Sequence, residues 1–245
     1  MAEIGAILAA YDACLGREDL SGAENVLNEA LRQALETDDR ETALYVYNER
    51  MGFLRQYGDV EKSVADARSA EALLTQLGLA FSKQAAYVWL NAATVYKNAG
   101  YPEEARTRYE NAERCFARFY PAGDAAFAGL YNNMAALYLD DGDFPRAAFY
   151  YERAASILRR TGGEADLAVT MFNLALLENR RDPLSGEAQR YASEGEAILD
   201  AVKPEDRGSY YHYTCRKLAG AAAELGLLLT EQTLRERADR YYAGR

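Results

Sequence analysis

Residues Tyr87 to Phe116 read YVWLNAATVYKNAGYPEEARTRYENAERCF, and residues Gly129 to Leu158 read GLYNNMAALYLDDGDFPRAAFYYERAASIL. Laid one above the other, Asn91 falls on Asn133, Tyr96 on Tyr138, Gly100 on Gly142, Ala105 on Ala147, Tyr109 on Tyr151 and Ala112 on Ala154, every pair 42 residues apart. A fixed period of roughly 20 to 50 residues is the mark of stacked repeat architectures. Stepped back by the same interval, Trp89, Ala93, Tyr96, Gly100 and Ala105 meet Tyr47, Met51, Leu54, Gly58 and Ser63. Stepped forward, the pattern meets Asn173, Leu174 and Ala175, then Ala188, Ala192 and Gly195, more loosely. Ala23, Leu27 and Ala30 at one end and Leu218, Ala219 and Gly226 at the other are the faintest copies. Six units of about 41 residues then account for all 245. They run roughly over 1–37, 38–79, 80–121, 122–162, 163–203 and 204–245, with the first and last degenerate, as one domain.

Within a unit, the residues before the glycine are apolar at helical spacing (Trp89, Ala93, Tyr96; Tyr131, Ala135, Tyr138), and so are those after it (Ala105, Tyr109, Ala112; Ala147, Tyr151, Ala154). Each unit therefore reads as a helical hairpin. Gly58, Gly100 and Gly142 are expected to close the first helix in the left-handed conformation. Asp59 and Asp143 stand where the second helix needs a cap, and Pro102 and Pro145 fall in its first turn, where proline is tolerated. Composition agrees: 45 Ala against 5 Pro favours helix throughout. One hairpin buries too little apolar surface to stand alone, so successive hairpins must stack into a solenoid with a concave and a convex face.

Charge and cysteine content narrow the setting. With 38 acidic and 28 basic residues the net charge is −10, which disfavours nucleic acid and anionic lipid as partners. No apolar run approaches the length of a membrane span, and Met1 to Leu15 carries no Lys or Arg, so neither a membrane segment nor a secretory signal is expected. Cys14, Cys115 and Cys215, about a hundred residues apart, match neither a disulfide framework nor paired zinc ligands; they read as reduced, buried thiols of a cytoplasmic protein.

These residues resemble the tetratricopeptide repeat (TPR) family. The 42-residue spacing and the run Asn132-Asn133-Met134-Ala135-Ala136-Leu137-Tyr138 look most like the longer repeats of kinesin light chain and of bacterial peptide sensors. The likeness is strongest over residues 81–160 and extends to about 39–201. Arg50 departs from it where an apolar residue is usual, and Asp182-Pro183-Leu184-Ser185 replaces the turn glycine. The resemblance implies an all-α, right-handed superhelical solenoid of about 12 helices in six units. It also implies a non-catalytic, bacterial, protein- or peptide-binding module whose first helices line the groove.

If Trp89, Ala93 and Tyr96 face the second helix, helical spacing groups Asn91, Thr94 and Asn98 on another face, with Lys97 beside them. The same frame presents Asn132 and Asn133 in the next unit. It presents Asn48, Gly52 and Arg55 in the preceding one, then Asn173, Asn179 and Arg180, then Arg216 and Lys217. An asparagine amide can give and take a hydrogen bond with a peptide backbone at once, which suits sequence-tolerant recognition. The alternative is an Asn set bonded between helices or to solvent, kept because the repeats share ancestry. Four such contacts at roughly 0.5 to 1.5 kcal/mol each give about 2 to 6 kcal/mol, short of the roughly 8 kcal/mol of micromolar binding. Side-chain pockets or charge pairs must supply the rest. Arg55, Lys97, Arg180, Arg181, Arg216 and Lys217 are the candidates, through acidic side chains or a terminal carboxylate.

Catalytic signals are weak. His212 lies three residues before Cys215, but this i, i+3 pair has no orienting carboxylate and reads as packing. Asp140-Asp141-Gly142-Asp143 lacks the distal Glu of a calcium loop and reads as turn plus cap. Gly162-Gly163 lacks phosphate-loop spacing and reads as a helix terminator. No enzyme activity, cofactor or metal is expected. Tyr96, Tyr109, Tyr138 and Tyr151 recur with the repeat and should seal hairpin to hairpin. Tyr210 to Tyr213 and the pair Tyr241-Tyr242 do not recur, and are candidates for a homodimer surface on the terminal helices. Two other readings stand beside peptide binding: a signalling-peptide sensor that changes its pitch, and an oligomeric scaffold with an unused groove.

Overall fold

The computed structural model describes residues 4–242, with side chains for all of these but Ser209 and residues 240–242. Among the described residues there are twelve α-helices, one short 3₁₀ turn at Pro204–Asp206, and no strand. Two compact units divide the chain, Met1–Pro121 and Ala122–Arg245. The first holds α1 (Ile4–Leu15), α2 (Leu20–Glu36), α3 (Arg40–Tyr57), α4 (Val60–Gln76), α5 (Lys83–Asn98) and α6 (Pro102–Phe119). The second holds α7 (Ala126–Asp140), α8 (Phe144–Thr161), α9 (Glu164–Arg181), α10 (Glu187–Ala201), α11 (Ser209–Glu224) and α12 (Leu228–Tyr242).

Every odd-numbered helix pairs with the helix that follows it. In the first unit α3 packs beside α2, and α5 beside both α3 and α4; in the second, α9 packs beside α7, α8 and α11. First helices therefore lie against one another inside each unit. Close approach depends on small residues: Ala105 and Ala112 on α6, and Ala147 and Ala154 on α8, are fully buried. Tyr109 and Tyr151 fill the space between them, at 1% and 2% exposure. Tyr96 is buried under the guanidinium of Arg108, 4.9 Å from its ring, while Tyr138 stacks on Tyr150 at 5.6 Å.

The two central turns share one hydrogen-bond pattern. Gly100 and Gly142 have φ of +81° and +75°, which a side chain would strain. The next residues donate back across the helix end, Tyr101 N to Tyr96 O at 2.9 Å and Asp143 N to Tyr138 O at 2.8 Å. Gly58 differs from its expected role: its φ is −130°, outside the left-handed region. A Cβ there would come 2.9 Å from Leu54 Cδ2, so close approach, not handedness, calls for glycine. Asp59 caps α4 by accepting from the amides of Glu61 and Lys62, and Asp143 caps α8 by accepting from Arg146 N. Where Asp182–Ser185 stands in place of a turn glycine, Asp182 Oδ1 accepts from Leu184 N and Ser185 Oγ donates to Asp182 O, and the fifth hairpin still closes.

Arginines tie neighbouring helices. Arg108 of α6 forks onto Glu71 of α4 with two bonds of 2.9 Å, and Arg159 of α8 reaches Glu194 of α10 at 2.7 Å. Arg50, the residue out of place in the repeat pattern, donates from α3 to Asp66 of α4 and to Asn28 of α2, both at 2.9 Å. One charged side chain thus fastens three helices. Burial holds the Asp66 carboxyl above its ordinary range despite the attraction of Arg50. The pair therefore contributes little net stability, yet breaking it is costly. Asp66→Ala is expected to lower unfolding free energy by roughly 3 to 5 kcal/mol, whereas Arg50→Met with Asp66→Leu should fall within about 1 kcal/mol of wild type or above it. Urea denaturation of the three proteins checks this.

Candidate peptide-binding face

In the first unit the amide side chains of α3 and α5 meet. Asn91 Nδ2 donates to Asn48 Oδ1 at 3.0 Å, and Asn48 Nδ2 donates to Glu49 Oε1 at 3.2 Å. This chain of bonds borders a cavity of about 380 Å³, lined by Tyr45, Asn48 and Glu49 from α3 and by Gln84, Tyr87, Val88 and Asn91 from α5. Tyr87 is held at the rim by edge-on contacts with Phe116 and Tyr120, ring centroids 5.2 and 6.1 Å away.

Glu49 sets the electrostatics of this cavity. Its carboxyl is pushed above the ordinary range by burial, with a further push from the Asp12 charge on α1, and only the Asn48 hydrogen bond opposes the rise. Among the described residues it has no ion-pair partner. The Tyr45 phenol is raised as well, by burial first and then by Glu49 and Asp12.

Asn48 and Asn91 thus come together on the frame read from the sequence, bonded to each other between helices as the alternative for the Asn set expected, whereas Thr94 does not join them. It is 4% exposed, donates to Leu90 O at 2.9 Å and shares a hydrogen bond with the Tyr109 hydroxyl at 3.2 Å. The reason is packing: α3, α4 and α6 cover α5 from three directions, so its polar arc is narrower than one neighbour would leave. Asn98 is exposed at the end of α5, while Lys97 and Arg55 are half-buried and engaged in interactions of their own. None of these three lines the cavity. Tyr45, Glu49, Gln84 and Tyr87 were not anticipated, although Tyr45 is three residues before Asn48 and Tyr87 four before Asn91, spacing that puts each on its partner's face.

In the second unit the row is wired differently. Asn132 Nδ2 bonds across to Thr170 Oγ1 of α9 at 2.9 Å, while Asn133, the formal repeat of Asn91, turns back onto Gly129 O of its own helix. Asn173 is half-buried on α9. Arg180 stands between Asp140 of α7 at 3.7 Å and Glu224 of α11 at 3.1 Å, so its charge fastens three first helices together. Arg181 pairs with Glu178 at 2.7 Å. Arg216 and Lys217 are exposed on α11 and engaged with neighbours.

The residues considered for catalysis have structural roles. His212 is buried, its Nδ1 2.6 Å from the Arg237 carbonyl, an atom that can only accept, so Nδ1 carries the proton. Burial pushes the Cys215 thiol up, away from the thiolate a nucleophile needs. All three cysteines are free and buried. Asp143 caps a helix, Gly162 and Gly163 end α8 at positive φ, and no cluster of metal-ligating side chains occurs among the described residues. No helix among the described residues is long and apolar enough to cross a membrane. Tyr211 is buried, while Tyr210 and Tyr213 are exposed and stacked at 6.4 Å, with the Tyr210 hydroxyl donating to Asp166. The side chains of Tyr241 and Tyr242 lie outside the described residues.

Helical hairpins of this size, with first helices side by side, define a TPR-like helical repeat protein. The chain is similar to BtubC (BKLC) from P. vanneervenii, with 25% identity and a TM-score of 0.68 over 82% of this chain and 84% of that one. A protein of Podosopora anserina described by its kinesin light chain nearly identical TPR-like repeats shares the fold at 18% identity. Its TM-score is 0.56, over 82% of this chain and 95% of that one. A singly substituted form of the same protein gives 0.58 over the same shares. The family model of the soluble NSF attachment protein, SNAP, matches residues 80–192. No curated protein matches the sequence.

Two outcomes are expected of substitutions here. A carboxyl whose folded pKa is raised stabilises the fold least once pH exceeds that value, and its penalty disappears below the unfolded range, near about pH 4. Glu49→Gln should therefore melt above wild type at neutral pH, with the gap closing on acidification to about pH 4. Thr94→Val should cost about 1 kcal/mol of stability in denaturant titration, through the lost bond to Tyr109, and leave any ligand preference unchanged.

Proposed function

We propose that this chain is a non-catalytic protein- or peptide-binding module whose ligand lies along the first helices of its hairpins. The observation that carries the reading is the Asn91–Asn48–Glu49 hydrogen-bond chain at the edge of a cavity between α3 and α5. Asparagine is a poor choice inside a helix unless its amide is used, and here two from different helices are aligned beside open volume. Asn48 Nδ2 and Asn91 Nδ2 each keep a second proton, and Asn91 Oδ1 is bonded to no described residue, so the pair can meet both polar groups of an extended backbone. In the second unit Asn132, Asn133 and Asn173 supply amides on α7 and α9, with two of them bonded within that unit. TPR-like repeats serve as protein-interaction scaffolds, which accords with this use of the face. Arg180 belongs to the framework in this reading, since its two carboxylate partners already take up its charge.

The test is selection of a random peptide library on wild type and on Asn48→Ala/Asn91→Ala, with circular dichroism establishing equal helicity. Enrichment on wild type alone is expected. Equal enrichment on both proteins, or none on either, would remove this face as the site.

A further inference from the structure

We infer that the cavity between α3 and α5 receives a positively charged side chain, the ammonium of a lysine or the guanidinium of an arginine, carried by the bound peptide. The inference rests on the peptide-binding reading above and adds to it the charge of the ligand.

Three features converge. Glu49 brings a carboxylate to the cavity wall, and among the described residues its polar partner is the neutral amide of Asn48 and no cation. Asp12, on the exposed side of α1, adds a second negative charge to the field there, so an acidic side chain would be repelled. No Lys or Arg lines the cavity, and three basic residues of the helices around it are engaged elsewhere: Arg50 with Asp66, Lys83 over the Tyr120 ring at 5.1 Å, Arg108 with Glu71. A half-buried carboxylate without a counter-charge among the described residues is thus left at the cavity wall.

The rest of the lining suits a cation carried on an aliphatic stem. Tyr45 and Tyr87 contribute phenol rings, whose faces attract ammonium and guanidinium groups. Asn91 Oδ1, bonded to no described residue, offers a further acceptor on the lining. A volume of about 380 Å³ accommodates one long side chain and adjoining backbone. This charge preference is opposite to the one the basic residues Arg55, Lys97 and Arg180 implied from sequence, and those three do not line the cavity.

The experiment uses pools of random, fluorescein-labelled nonapeptides free of Lys, Arg, Asp and Glu except at the centre, which is fixed as Lys, Arg, Glu or Ala. Binding to the full chain is read by fluorescence anisotropy. Wild type should bind the Lys and Arg pools roughly tenfold or more tightly than the Ala pool, as a charge-assisted hydrogen bond warrants, and the Glu pool no better than the Ala pool. Glu49→Gln should lose the preference while melting no lower than wild type, which separates recognition from folding, and Glu49→Lys should pass the preference to the Glu pool. Equal affinity of the Lys, Arg and Ala pools for wild type, or a preference that survives in Glu49→Gln, would overturn the inference and leave the peptide-binding reading standing. Absence of binding by every pool would overturn both.

Discussion

A helical hairpin of some forty residues has more apolar surface than its own two helices can cover, and that shortfall governs the molecule. Within each unit a hairpin must lend a face to its neighbour. Small residues then become obligatory where helices touch, and Ala105, Ala112, Ala147 and Ala154 are fully buried. Large ones become plugs, as Tyr109, Tyr151 and Phe172 are. At Gly195 the same constraint appears in extreme form: a Cβ there would sit 2.8 Å from the Phe172 ring, so the fifth hairpin closes on glycine where earlier ones use alanine.

The same stacking decides where charge can go. Arg50, Arg108, Arg159 and Arg180 each bridge from one helix to a neighbour outside or within its own hairpin, and each meets a carboxylate. Guanidinium groups are suited to this because their forked donors reach planar acceptors while the stem covers apolar surface. In a chain of net charge −10, many cations are spent on such framework pairs. The carboxylate of Glu49 is left at a cavity wall, raised in pKa by its burial and by Asp12. The charge of the α3–α5 face therefore follows from how the framework distributes its cations.

Much of the fold was legible in the chain. The 42-residue offset announced the hairpins, glycine at 100 and 142 announced the turns, and the aspartates at 59 and 143 announced the caps, because each depends on residues close in sequence. Gly58 shows the limit: a glycine in register with two left-handed ones serves instead to admit Leu54. The site was legible in part. Helical spacing paired Asn48 with Asn91, but it also promised Thr94, which a third covering helix turns into core. Asn91 and Asn133 occupy one repeat position and bond differently, since Asn132 takes the cross-helix role in the second unit.

Sequence alone determined the helices, their period, their turns and the polar residues the first helices carry, all set by interactions a few residues long. Only tertiary structure decided which of those residues remain open. Exposure depends on how many helices surround each one, and charge on which distant carboxylate lies within about 3 to 4 Å of each arginine. Neither quantity is local in the chain, so Glu49 and the cavity it borders became visible only when α3 and α5 were placed side by side.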